Sequence, residues 1–119
     1  RSVDLRGVDD PHISRDRYDE VAGAFSDDAD LALGVVHAPY LRVLDGMAAD
    51  GADLILAGHT HGGQFLPWKW FVRLQQPFTA GLHRWQDLWV YTSRGTGYWG
   101  PPKRLSAPSE ITHLRLVAG

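Results

Sequence analysis

The chain contains no cysteine. The redox compartment therefore leaves no trace in it, and any metal site must use histidine, carboxylate or carbonyl ligands. Positive charge is not in excess either. Twelve Lys and Arg stand against 14 Asp and Glu, a net charge of −2, which lacks the basic footprint that non-specific nucleic-acid binding requires. No apolar run approaches the roughly 20 residues of a membrane span, and no signal peptide is visible. The first residue is Arg1 rather than Met, so the chain is expected to be part of a longer protein. What is present is an ordinary globular composition of 119 residues, 44% apolar and 22% charged, enough for one domain or one large piece of a domain.

Ser14 suits a helix N-cap, and Tyr18, Val21, Ala22 and Phe25 then repeat at the spacing of an amphipathic helix. Leu31 to Val36, "LALGVV", is a continuous apolar run of the length of a strand buried on both faces. Pro39 suits the first position of a helix whose stripe is Leu41, Leu44, Met47 and Ala48, and Gly51 can stop it. Leu54 to Ala57, "LILA", reads as a second buried strand. Strand, helix and strand make a βαβ unit, so the two strands should be parallel. Leu82 to Trp85 and Leu88 to Thr92 read as a hairpin around Gln86 and Asp87, neither a strong turn former. Ser93 to Glu110 is poor in regular periodicity, and Thr112, Leu114 and Leu116 alternate as in a strand with one wet face. The fold class is α/β, a parallel βαβ unit followed by antiparallel strands.

His37 directly follows the first strand of the βαβ unit, and His59 follows the second with Gly58 between. Ligands of open α/β sheets collect beyond the carboxyl ends of parallel strands. Neighbouring strands about 4.8 Å apart would let both imidazoles reach one ion through bonds of about 2.1 Å. His61 lies two residues beyond His59 and points to the same side in an extended stretch. Gly58, Gly62 and Gly63 would let this loop fold tightly. The three imidazoles are expected to converge on something polar, a metal above all, whereas His12, His83 and His113 read as ordinary surface or hydrogen-bonded histidines.

"GVDDP" (Gly7 to Pro11), "HAP" (His37 to Pro39), "GHTHGGQ" (Gly58 to Gln64), "SRGTG" (Ser93 to Gly97) and "PSEIT" (Pro108 to Thr112) together resemble the carboxyl-terminal half of the calcineurin-like metallophosphoesterases. The likeness is to the bacterial, often membrane-associated branch that includes phosphodiesterases and lipid-precursor hydrolases. It implies that residues 1–119 are the carboxyl-terminal portion of a β-sandwich domain flanked by helices. It also implies a hydrolase of phosphomonoesters or phosphodiesters that works with two divalent ions (manganese, iron or zinc) on a phosphorylated small molecule or a lipid-linked substrate. His37 and His59 match ligands of one metal and His61 a ligand of the other. Two such ions polarise phosphoryl oxygens and activate water. The Asp-x-His, Gly-Asp-x-x-Asp and Gly-Asn-His elements, which complete the family's centre, are absent from this chain; Asp9 and Asp10 are not substitutes for them and read as turn residues. The chain alone should thus be inactive and self-associating, and membrane association would come through an amino-terminal segment it does not contain.

Arg94 and the glycine amides after it could hold a phosphate. "FLPWKWF" (Phe65 to Phe71) is either a lipid-facing rim or a hydrophobic cluster under a loop. Two other functional readings are a mononuclear three-histidine zinc hydrolase and a non-catalytic binding module stapled by a metal.

Overall fold

The computed structural model describes residues 1–8, 22–58, 80–95 and 109–117. In chain order they form β1 (Val3–Val8), β2 (Leu31–Val36), α1 (Leu41–Ala49), β3 (Leu54–Ala57), β4 (Gly81–Trp85) and β5 (Leu88–Thr92). Residues 59–79, with His59, His61 and the aromatic stretch, lie outside the described residues, as do Asp9, Asp10 and His12. The strands make one sheet in the order β1-β2-β3-β5-β4. β1, β2, β3 and β5 run parallel, and β4 closes the far edge antiparallel to β5. The expected α/β arrangement is thus present, with one addition: the second strand of the hairpin joins the parallel ladder beside β3.

α1 supplies the layer on one face. Tyr40 is its N-cap, without a side-chain bond, so Pro39 lies one position ahead of the cap rather than at the first helical position. At the other end Gly51 takes φ +92°, a conformation that costs glycine little. Its N–H donates to Ala48 O (3.1 Å) and that of Ala52 to Met47 O (2.9 Å), the paired bonds of a Schellman motif. Between these ends Val43, Leu44 and Met47 are buried against Val36, Ile55, Leu88 and Val90 of the sheet. Full burial of such side chains contributes about 1.5–3 kcal/mol each. Gly34 makes the close approach possible: a Cβ there would strike Met47 Sδ and lie 3.2 Å from Ile55 Cγ1.

The opposite face is more open. The registers align Val3 with Leu31 and Leu5 with Leu33, and alternation directs these residues to the side away from α1. Val3 is 57% and Leu5 62% exposed, and Val35 and Trp89 remain exposed on the same side. The composition of these strands suits burial on both faces, and α1 covers one.

Two local expectations need correction, and the expected hairpin is present. Ala22 to Phe25, the described end of the helix expected after Ser14, is not helical: Gly23 has φ +131°, and the carbonyls of Gly23 and Ala24 turn outward to accept from the Arg6 guanidinium. Phe25 is nonetheless buried, with that guanidinium 4.1 Å from its ring centroid. The hairpin forms around Gln86 and Asp87 as expected, and Gln86 takes φ +52°. Asp45 of α1 braces this costly turn residue, its Oδ1 accepting from Gln86 Nε2 and Trp85 Nε1 at 3.0 Å each. Finally, Thr112 to Leu116 is not a strand. Alternation gives a segment a face but no neighbour, and none of the described strands forms a ladder with it.

Residues 109–117 are instead moored by side chains. Tyr91 Oη donates to Glu110 Oε1 at 2.8 Å and also hydrogen-bonds Thr112 Oγ1. Burial raises the Tyr91 hydroxyl above its ordinary value. The Thr112 bond opposes that shift, while the bond to Glu110 and its charge reinforce it.

Two outcomes are expected. Gly34→Ala should lower stability by about 1–3 kcal/mol through overpacking, read as a fall in the urea midpoint with an unchanged slope; an unshifted midpoint would mean that Met47 moves aside freely. Tyr91→Phe should cost about 1 kcal/mol at neutral pH. Because the folded chain holds the Tyr91 proton more tightly than the unfolded one, this contribution is complete below the ordinary tyrosine value of about 10 and is lost as pH rises through the raised folded value. The gap between wild type and Tyr91→Phe should therefore narrow above that pH, and a constant gap would contradict the coupling.

Candidate metal centre

The carboxyl ends of β2, β3 and β5 lie side by side, because the parallel registers run Val36 beside Ala57 and Ala57 beside Thr92. Backbone bonds carry the alignment one residue further. Gly58 N–H donates to His37 O at 3.0 Å, and Ser93 N–H to Ala57 O at 2.8 Å. His37, Gly58 and Ser93 thus follow three adjacent strand ends, the position where open α/β sheets collect ligands. They border a cleft of about 410 Å³. Its walls are the apolar side chains of Val35, Leu56 and Leu114, and its polar groups come from His37, Tyr91, Ser93 and Thr112.

His37 is exposed at this rim. An imidazole nitrogen is a suitable donor for zinc or iron, so the described part of the centre fits a divalent metal in donor chemistry. Among the described residues no three His, Asp or Glu side chains converge on one point, and both other expected ligands, His59 and His61, lie outside the described residues. Gly58 is not in the left-handed region, and among the described residues a Cβ there would meet His37 O, at an ordinary 3.8 Å. His83 has a different role, one ring nitrogen lying 2.8 Å from Ala80 O. Thr92 Oγ1 is buried without a hydrogen-bond partner among the described residues, but Thr92 alternates with Tyr91 and so belongs to the α1 side of the sheet, away from the cleft.

Arg94 follows Ser93 but is not among the residues that border the cleft. Ser93 Oγ accepts the Gly95 N–H at 2.9 Å, which folds residues 93–95 into a tight turn with Gly95 at φ +73°. Glu110 fastens the turn: Oε1 accepts the Arg94 N–H at 3.0 Å, Oε2 is 4.0 Å from Arg94 Nε, and the Glu110 N–H donates to Gly95 O at 3.1 Å. Sequence reasoning singled out neither Glu110 nor Tyr91. The available signals were the acid inside "PSEIT" and a hydroxyl-bearing aromatic within the apolar run of β5.

No family model matches the chain, and no solved structure matches it. Curated relatives do. An uncharacterized metallophosphoesterase of Helicobacter pylori is 48% identical over 66 residues, 55% of this chain and 18% of that protein. A bovine transmembrane protein with metallophosphoesterase domain is 41% identical over 85 residues, 71% of this chain and 19% of its own length. A phosphodiesterase of Escherichia coli is 40% identical over 70 residues, 55% of this chain and 25% of its length. The chain thus spans about a fifth to a quarter of the length of these relatives. The parallel strands, the antiparallel pair that follows them and these relatives agree: the chain is similar to a part of the sequence of curated metallophosphoesterases.

Proposed function

We propose that this chain supplies the histidine side of a metal-dependent phosphoester hydrolase, as the carboxyl-terminal portion of its catalytic domain. In this reading His37 and His59 are nitrogen ligands of one divalent ion and His61 of a second, the ions being manganese, iron or zinc. The observation that carries it is the 3.0 Å bond from Gly58 N–H to His37 O, which holds the residue preceding His59 against His37 at two adjacent strand ends. Bound divalent ions would polarise a phosphoryl oxygen and lower the pKa of water. The protein's own contribution is positional. His37 presents its imidazole at a strand end, where the paired backbone limits its movement. The apolar cleft walls reduce the water around a bound phosphoester and so strengthen the charge interactions within it. Arg94 supplies a cation one residue beyond the cleft border.

The substrate in this reading is a phosphorylated small molecule or a lipid-linked phosphoester. Support comes from the name of the E. coli relative, a phosphodiesterase. Membrane association is supported by the name of the bovine relative. Within this chain, no helix among the described residues is long and apolar enough to cross a membrane. The isolated chain should also self-associate. Its edge strand β1 carries exposed Val3 and Leu5, and Ile111 and Val117 are 93% and 72% exposed; open strand edges and contiguous apolar surface favour pairing between chains.

In the full-length protein, His37→Ala and His59→Ala should each reduce metal-dependent hydrolysis of a soluble phosphodiester at least about a hundredfold, with metal content reduced and thermal unfolding little changed. Wild-type turnover in a metal-saturated His59→Ala variant would remove that residue from the centre. The 119-residue chain by itself should scatter light as a species larger than a monomer and show no turnover with added manganese or zinc. A monodisperse, active monomer would instead favour a compact three-histidine zinc site.

A further inference from the structure

Among the described residues the Glu110 carboxylate binds one short stretch of chain. Oε1 accepts from Tyr91 Oη and from the Arg94 N–H, Oε2 faces Arg94 Nε at 4.0 Å, and the Glu110 N–H returns a bond to Gly95 O. A partly buried carboxylate costs free energy unless its lone pairs are satisfied, and here the donors come from the end of β5 and the turn after it. The 4.0 Å contact is too long for a hydrogen bond. With the Arg94 side chain 41% exposed, it contributes little as an ion pair. The strong tie is to the main chain of Arg94. That tie fixes the Cα from which the guanidinium projects, next to Ser93 at the cleft border, while the negative charge beside Nε biases the side chain's direction.

We propose that Glu110 is a positioning residue for Arg94, holding it beside the cleft so that its guanidinium receives the phosphoryl oxygens of an anionic substrate. This rests on the phosphohydrolase reading for the identity of the anion. The recognised group is a phosphate oxyanion, which a guanidinium meets with paired N–H donors. The acceptor oxygen, more than the charge, does the positioning, because the Arg94 N–H is a neutral donor at 3.0 Å and an amide oxygen can take its bond.

The test is binding of inorganic phosphate to the metal-loaded full-length protein by titration calorimetry, with KM and kcat for a soluble phosphodiester measured alongside. Arg94→Ala should weaken phosphate binding about tenfold, the loss expected for one charged hydrogen-bonding partner. Glu110→Ala should weaken it similarly and raise KM while leaving kcat within about threefold. The double variant should be no worse than Arg94→Ala alone, since both remove one arrangement. Glu110→Gln should recover most of the affinity. Unchanged phosphate affinity in Glu110→Ala, additive losses in the double variant, or a Glu110→Gln protein as weak as Arg94→Ala would each overturn the assignment. Should Glu110→Ala not fold, the Glu110→Gln titration decides alone. A wild-type protein without metal-dependent turnover would count against the hydrolase reading, and the phosphate titrations would still judge Glu110.

Discussion

The parallel pairing of β2 with β3 is the constraint on which the candidate centre depends. It aligns Leu33 with Leu54 through Val36 with Ala57, and the residues that leave these strands, His37 and Gly58, inherit the alignment. A slip of one residue would turn the side chains of β3 to the opposite face, taking Ile55 from the α1 layer and uncoupling the two strand ends. The register is held at both ends. At the amino end Asp53 N–H donates to Ala32 O, while the Asp53 carboxylate accepts the Ala32 N–H. Beyond the carboxyl end Gly58 donates to His37 O. Specificity in the middle comes from packing, because Gly34 admits Met47 at one point along the strand.

Much of this was legible because the deciding signals are local. "LALGVV" and "LILA" are too short and too continuously apolar for an amphipathic surface helix. The stripe of Leu41, Leu44, Met47 and Ala48 has helical spacing, and Gly51 stops the helix by taking the conformation that glycine tolerates. The hairpin was legible despite its turn residues, since the apolar strands on either side set the pairing. Its energetic support, Asp45, is distant in sequence and left no mark in the local pattern. The failures have the same origin. Phe25 looked helical by spacing, yet Gly23 and the distant Arg6 decide its place, and the alternation of Thr112 to Leu116 could not say whether a neighbouring strand awaits it.

The residues proposed for the site divide along the same line. His37 could be found from its position after a strand, a feature one sequence contains. The tie between Glu110 and Arg94 could not, because the two residues stand 16 apart in sequence and the partners of the carboxylate include a main-chain amide and a tyrosine hydroxyl. Such residues act through what they hold. Their chemistry is unremarkable in isolation, and they become visible when the fold shows which backbone atoms have been recruited.

The strand order also governs how the molecule can come into being. Of the four pairings in the sheet, only β4 with β5 joins neighbours across a two-residue turn. Each parallel ladder waits for a long loop to close, whose entropy is spent before its contacts form. β3 sits between β2 and β5, so during synthesis it acquires its second neighbour only after Thr92 has left the ribosome. Until then an apolar strand is flanked on one side alone. The local hairpin is well suited to form early and to dock as a preassembled unit, which would shorten the interval in which that strand is open to wrong partners.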